Sequence, residues 1–579
     1  MAKKREKWTY DDYIDEYQAL LQERNEWDAE AKKISSFIIP GRGIFNNLTR
    51  PSKRKLTSPK VVNAVAKDAM RVLTSGLQGG LTSPARPWFK LSFSNPAFES
   101  HPILGGWLYQ CEKTLYSELA STNFYPSVHT FYTEYCGFGT ATMYVGEDGE
   151  PFRFELPTFG EYCIGIDSKG RVDRFYRVVF KTGKMLWDDY GDSPRGNVLP
   201  PQFYNEAQRK SLYNTWYTCL EATTKRKFQD KPYTRVFYLL GEGDASRGVS
   251  PANTKNSDKK PLDISGFYEF PWPTGRFDVI GSDVYGIGPA AEALPDVMRL
   301  QEMEKSASMA VHKSASPPLF VPAHLKGKIK TLPGGMNYSR NTMNEKVSTL
   351  YDTRFDYPGV VGFIDRTVMR IRQAFFNDVF ITASRDPNAS PLKATQVHAQ
   401  ELEKMLRLGP MIERLHFEFF TPLIERCWGI LMRKGKFPPL PPELQMMVEG
   451  AGFEIKMVSV LAQAQKAIGV QAISSFVSFV GGVASVDPKA LDNINTDSTI
   501  REFADITGVP SVIMNQPEQV QAIRQQRAQM QMQKEEEQKQ MMQAAAQEQV
   551  LTNRANVAKT MSEAGSNISD VLGGVTGVQ

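Results

Sequence analysis

Pro295-Asp-Val-Met-Arg-Leu-Gln-Glu-Met-Glu-Lys-Ser-Ala-Ser-Met-Ala-Val-His-Lys-Ser-Ala-Ser316 is the stretch from which the fold is read. After Pro295 it holds no proline and no glycine, and Val297, Leu300, Glu304, Ala307, Val311 and Ser314 recur at helical spacing. Past its middle the helix turns small, with Ser306, Ala307, Ser308, Ala310, Ser314 and Ala315. Pro317-Pro318 ends it, because proline brings no backbone donor and drives the preceding residue out of the helical region. A second helix is expected over Ile364–Phe380, with an apolar stripe of Ile364, Val368, Ile371, Phe375 and Val379 and a polar stripe of Arg366, Arg370, Gln373 and Asn377. At ~1.5 Å per residue each helix is about 25–33 Å long. Two such helices around an irregular insert do not describe a catalytic pocket. Periodicity leaves an ordinary core hairpin open as the alternative.

The rest of the 579-residue chain bounds the choice. Hydrophobic residues make up 41% and charged residues 23%, which allows a large packed core in about four domains. A net charge of +5 and a pI near 8.6 are too mild to mark a nucleic-acid binder, although loose, sliding contact with DNA remains compatible. The five cysteines, Cys111, Cys136, Cys163, Cys219 and Cys427, show no CxxC spacing and read as reduced structural thiols in a cytosolic setting. The basic start Met-Ala-Lys-Lys-Arg-Glu-Lys-Trp has no apolar run behind it, so no signal peptide is expected. Ala467–Val486 is uncharged and meets the ~20-residue length of a membrane span. Its Gln471, four serines and three glycines favour a buried or ring-packed helix instead.

Outward from the hairpin, residues 8–38 form an amphipathic helix through Tyr10, Tyr13, Ile14, Tyr17, Leu20 and Leu21. Pro59–Ser75 is expected to be a second helix capped by Ser58, followed by a bent Gly/Pro connector in which Trp88-Phe89 supplies a buried anchor. Residues 101–135 are helical and aromatic. Strands are expected at Thr140–Val145, Phe152–Leu156, Tyr162–Ile166, Val172–Phe180 and Thr234–Leu240, with a last one from Phe267 that ends in prolines. Residues 317–360 are rich in Pro, Gly and Asn and read as a small β-rich lobe. Helices follow from Pro391 to Leu408 and from Pro410 to Lys434, the latter kinked at Pro422. Residues 516–549, rich in Gln, Met and Glu, read as a long helix, either solvated or packed on its own copies, with a disordered polar tail as the alternative. From Ser562 a mobile Gly/Ser tail is expected.

Catalytic signatures are missing. There is no Walker-type phosphate loop, and Gly327-Lys328 lacks both the preceding glycine and the hydroxyl residue. No G-x-S-x-G and no H-E-x-x-H occurs. The six histidines never pair at ligand spacing, and Glu413 with His416 makes one Glu-x-x-His step where a di-iron bundle needs two. Asp188-Asp189 and Glu535–Glu537 read as a solvated turn and a solvated helix face. No enzyme activity, cofactor or metal is expected. A nuclease using acidic pairs is the weakest of three readings, behind a conduit and a membrane-inserted channel built on 467–486.

Four further stretches carry a family resemblance: Leu81-Thr-Ser-Pro-Ala-Arg-Pro-Trp-Phe-Lys-Leu91, Pro317-Pro-Leu319 after the small-faced helix, Ala394-Thr-Gln-Val397, and Ser459-Val-Leu-Ala-Gln-Ala-Gln-Lys466. In order and spacing, across roughly residues 8–515, the chain resembles the portal, or head-to-tail connector, proteins of short-tailed bacteriophages. The resemblance implies an α+β, mainly helical fold divided into named parts. These are a wing (1–285), a first stem helix (286–316), a clip (317–360), a second stem helix (361–380), a tunnel loop (381–390), wing and crown helices (391–450), a crown (451–515) and a C-terminal helical barrel with a mobile tail (516–579). It implies a dodecameric ring at one capsid vertex of the virion, assembled in the host bacterial cytoplasm and not in a membrane. Its partners would be the major capsid protein and scaffold, the terminase motor, a tail adaptor and double-stranded DNA. Ser384, Arg385, Asp386, Pro387 and Asn388 would face DNA, with Arg385 touching the backbone or pairing with Asp386 of a neighbouring copy. Lys326, Lys328, Lys330, Tyr338 and Arg340 would dock the motor and tail. Lys305, Lys313, Arg366 and Arg370 are candidates for sparse basic rings, or else a solvated helix face. A conduit must let DNA slide, and every cation locked on phosphate adds binding that translocation must break, so a mild charge suits it.

Overall fold

Helical and alternating patterns succeed one another along the chain, and in the computed structural model they form a mainly helical α+β protein. The structure describes residues 8–45, 58, 60–94, 98, 102–148, 151–194, 196–241, 259–316, 318–321, 327, 330, 336, 348–349, 356–380, 407–439, 453–458, 473–483, 495–507 and 517–573. The chain divides into two units, Met1–Ser94 with Trp107–Gly508, and Asn95–Gly106 with Val509–Gln579.

In order the elements are α1 (Tyr10–Phe37), α2 (Val65–Leu81), β1 (Phe89–Phe93), α3 (Pro102–Ser121), α4 (Phe124–Phe138), β2 (Thr140–Thr142), β3 (Tyr144–Gly146) and β4 (Arg153–Glu155). Next come β5 (Tyr162–Ile166), β6 (Val172–Thr182), α5 (Gly183–Tyr190), α6 (Glu206–Leu212), β7 (Trp216–Thr224), β8 (Tyr233–Gly241), β9 (Asp263–Phe267) and β10 (Thr274–Arg276). Then follow α7 (Pro289–Ala315), β11 (Leu319–Phe320), β12 (Ser348–Thr349), α8 (Tyr357–Ala374), α9 (Asn377–Phe380), α10 (Gly409–Leu415), α11 (Thr421–Arg433) and β13 (Phe453–Met457). The last are α12 (473–483), α13 (Thr496–Thr507) and α14 (Pro517–Gly573).

Strands β5 to β9 make one antiparallel sheet in chain order. Period-two alternation gives it two apolar faces. Leu220, Ala222, Val236, Tyr238 and Leu240 meet Tyr10, Tyr13, Ile14, Tyr17 and Leu20 of α1. Tyr217, Cys219, Phe237 and Leu239 point the other way, to Leu186 of α5 and to Leu199 and Phe203. Farther along that second face the sheet turns ionic. Glu221, fully buried, takes Arg177 at 2.5 Å and Arg235 at 2.6 Å, and Arg177 lies over the Trp272 ring. Strand β7, at the centre of this sheet, was not among the expected strands.

Helix α11 is tied across the strands by charge. Arg426 is wholly buried and donates to the carbonyls of Val145 at 2.8 Å and Glu269 at 3.2 Å. Glu147 and Glu269 face it at 3.4 Å and are shared with Arg433. Upstream, Glu418 grips the Arg276 guanidinium of β10 with both oxygens. The expected kink at Pro422 takes the form of a π turn, His416–Phe420, in which the Thr421 N–H reaches back to the His416 carbonyl. Proline has no N–H to give and its ring crowds the carbonyl four residues earlier, so widening the turn relieves both.

β1 pairs antiparallel with β13, bringing together residues more than three hundred and fifty apart in sequence. Its other edge is sealed by side chains of α3. The Tyr116 hydroxyl accepts from the Trp88 and Phe89 N–H groups and donates to the Phe89 carbonyl, and Glu112 accepts from Leu91 N–H at 3.0 Å. Trp88 and Phe89 are buried, as the expected anchor requires.

Several boundaries differ from the expectation. α2 runs from Val65 to Leu81, straight through Gly76, Gly79 and Gly80, instead of ending at Ser75. Its start is displaced because the backbone of residues 62–63 is engaged elsewhere, as described below. α14 continues as helix to Gly573, past Ser562 where a mobile tail was expected. Residues 391–406 of the expected Pro391 helix lie outside the described residues. All five cysteines are free and buried.

Candidate functional site

The helical hairpin is present with shifted ends. α7 starts at Pro289, one residue after its Gly288 N-cap, so Pro295 falls inside the helix and not at its start. The backbone bond lost there is offset by burial of Leu294, Val297 and Leu300 on either side. Burial stops at Gln301. From Glu302 to Ser316 the helix is exposed or partly exposed, which follows from its change to Lys, Ser and Ala.

Gln301 marks the transition. It is 5% exposed, and its side-chain amide accepts from the N–H groups of Val62 and Asn63 and donates to the Asn63 carbonyl. The Asn63 amide in turn donates to Glu304 at 2.7 Å. This clamp holds the residues before α2 in a turn, so the helix begins at Val65. The sequence signal was a glutamine and a glutamate at core-facing helical positions, where an apolar residue is the default.

α8 opens at Tyr357, with the Asp356 carboxylate accepting from Gly359 N–H at 3.2 Å, and packs along α7, with Thr367 and Ile371 buried. It is shifted from the expected Ile364–Phe380, starting seven residues earlier and ending six residues sooner. It ends at Ala374, and Phe376 takes a left-handed backbone with φ +52° before α9 begins.

Of the proposed basic-ring residues, Lys305 and Lys313 stand on the exposed half of α7. Arg370 is exposed but pairs with Asp296 of α7 at 3.3 Å. Arg366 lies over the Phe363 ring and bonds the Gly362 carbonyl. Arg299, not singled out from sequence, lies over the same ring at 4.6 Å. Among the docking candidates Lys330 is exposed, while Lys326, Lys328, Tyr338 and Arg340 lie outside the described residues. So do Ser384, Arg385, Asp386, Pro387 and Asn388. The ends of the 317–360 insert are joined by β11 and β12, with Leu319 opposite Thr349 and Phe320 opposite Ser348.

Large apolar side chains also stand out on the hairpin: Met309 is 50% and Met369 65% exposed, and Met298, Val311 and Phe363 are exposed as well. Among the described residues, no group of three or more His, Cys, Asp or Glu could hold a metal ion, and no helix is long and apolar enough to cross a membrane. The expected membrane candidate is described over 473–483, where Phe476, Val477, Phe479 and Val483 are exposed on α12.

Comparison with known proteins gives the family. Residues 11–514 match the family described as bacteriophage head to tail connecting protein. The probable portal protein of Bordetella phage BPP-1 is 30% identical over 570 residues, covering 96% of each chain. The portal protein of Salmonella phage epsilon15 is 30% identical over 558 residues, covering 94% of each. A chain from the virion of a native gene transfer agent particle aligns over 70% of this chain and 88% of its own at 10% identity, with a TM-score of 0.31, too low a likeness to assign a fold from. The chain belongs to the bacteriophage head-to-tail connecting proteins, structural proteins of the virion that carry out no catalysis.

Proposed function

We propose that this protein is a portal: a ring at one capsid vertex through which double-stranded DNA enters and leaves, and on which the terminase motor and the tail adaptor dock. The observation that carries the reading is end-to-end similarity to two phage portal proteins, over 96% and 94% of the chain. The hairpin supports it physically. A single copy leaves Met309, Val311 and Met369 in water along α7 and α8, and a neighbouring copy in a ring would cover them. Residues 286–316 and 361–380 are then the stem, 317–360 the clip, 381–390 the DNA-facing tunnel loop, and 1–285 with 391–515 the wing and crown. α14 would extend a helical barrel, and the ring would hold twelve copies as the family resemblance implies. Lys305 and Lys313 are the better candidates for basic rings, since Arg370 and Arg366 already have partners within the hairpin.

The membrane-channel alternative has weaker support, because no described helix is long and apolar enough to span. Negative-stain microscopy of detergent-free protein tests the reading. Rings with a central hole are expected, their symmetry giving the copy number. Monomers at high concentration across a range of salt would overturn it. Deleting Asp386–Ala389 should spare the rings and impair retention of packaged DNA.

A further inference from the structure

The point where the second stem helix ends is seated on α2. α8 stops at Ala374, Phe375 is buried, and Phe376 holds a left-handed backbone that a phenylalanine adopts only when its surroundings impose it. α9 then crosses α2. The Phe380 ring lies directly on Gly76, so close that a Cβ at position 76 would collide with three of its carbons. Two turns earlier along α2, the Asn377 side-chain amide, 5% exposed and oriented to suit its neighbours, donates to the Ala69 carbonyl at 2.8 Å. Arg407, where the chain returns, lies over the Phe376 ring and pairs with Asp378 at 2.9 Å. Both charges are partly in water, so this pair adds direction more than strength. Gly79, on the same helix, has open space where its Cβ would be.

We propose that Gly76 is a positioning residue: the side chain it lacks is the seat for Phe380, and that seat sets the direction in which the chain leaves the stem. α2 and the end of α8 would then move as one body, coupling the wing to whatever follows Phe380. A glycine inside a helix is otherwise a poor choice. The glycine at 79 meets nothing, while the one at 76 is required by a close approach. The functional consequence rests on the reading of 381–390 as the DNA-facing segment, and the test keeps the two apart.

The test is amide hydrogen exchange on the assembled protein, comparing Gly76→Leu, Phe380→Ala, the double variant and Gly79→Ala. Exchange at residues 375–380 should rise at least tenfold in each of the first two. The double variant should exchange no faster than the faster single one, because both changes break one contact. Gly79→Ala should leave these amides unchanged. Unchanged exchange in Phe380→Ala, which introduces no clash and so stands even where Gly76→Leu fails to fold, would overturn the proposal. So would effects that multiply in the double variant. Particles carrying Phe380→Ala are then assayed for DNA retention. A loss with intact rings supports the coupling, whereas faster exchange with unaltered retention leaves the seat in place and overturns the DNA-facing assignment of 381–390.

Discussion

Replacing Arg426 with alanine should loosen α11 from the strands beneath it by about 4 kcal/mol. The guanidinium is wholly buried and serves two carbonyls, Val145 and Glu269. Leaving each buried carbonyl without its donor costs about 1 kcal/mol at the low end of the usual range, roughly 2 kcal/mol together. Cutting a long buried side chain back to alanine leaves a cavity that costs about 2 kcal/mol more. Glu147 and Glu269 keep Arg433 as a partner, so no carboxylate is stranded. The total falls within the ~3–5 kcal/mol seen when one member of a buried ion pair is removed. Arg426→Met keeps the volume and forfeits only the carbonyl part, roughly 2 kcal/mol. The chain has two units, so one global unfolding transition is the wrong readout. Native-state hydrogen exchange of the β3 and α11 amides reports the local opening instead. At 1.36 kcal/mol per decade, the alanine variant should exchange roughly 1000-fold faster and the methionine variant about 30-fold. An alanine variant within about threefold of the unaltered protein would refute the carbonyl penalty, and one no faster than the methionine variant would refute the cavity term.

Two further predictions concern pH. Burial acts to raise the Glu221 carboxyl, but Arg177 and Arg235 outweigh it and hold the group below its ordinary value. Its contribution is therefore complete above about pH 4.5 and is lost as pH falls through the lowered value. Glu221→Gln should lower stability at neutral pH and flatten the acid limb of the sheet's unfolding, followed by fluorescence of Trp272, which stacks on Phe175. An acid limb of unaltered steepness would count against the ion triad. Glu112 shows the opposite sign. Burial lifts its carboxyl from 4.5 to about 7, against the Leu91 N–H and the Lys90 charge. The β1–β13 pairing should accordingly be firmest below about pH 4.5 and weaken as pH rises to about 7. Glu112 is only partly buried, so the effect on exchange of Leu91 relative to α4 amides should be a few-fold. Glu112→Gln should abolish this pH dependence, and its persistence would show that another group controls the strand.

The alternation of Tyr162–Ile166, the period of Tyr10 to Leu20 and the double proline after Ser316 were legible because each acts over a few residues. Strand β7 was not, because Trp216–Thr224 is buried on both faces between two strands and shows no polar alternation to mark it. The start of α2 was misplaced because Ser58 and Pro59 look like a helix start in isolation. What displaces it is the amide of Gln301, more than two hundred residues away. The end of the second hairpin helix was misplaced for a similar reason: nothing local to Phe375–Phe376 breaks a helix, whereas in the fold Phe376 turns left-handed and Phe380 lies against Gly76 of a distant helix.

Taken by itself, the sequence determined the helical hairpin and its insert, the aromatic α1 face, the long C-terminal helix and the absence of catalytic signatures. These depend on periodicity and on the stereochemistry of proline, which act within a turn or two of chain. Only the tertiary structure decided where Gly76 meets a close neighbour, which arginines of the hairpin already have partners, and which edge of β1 is sealed. Those depend on groups brought together from distant parts of the chain, whose hydrogen bonds and charges become strong only once the surrounding packing has excluded water.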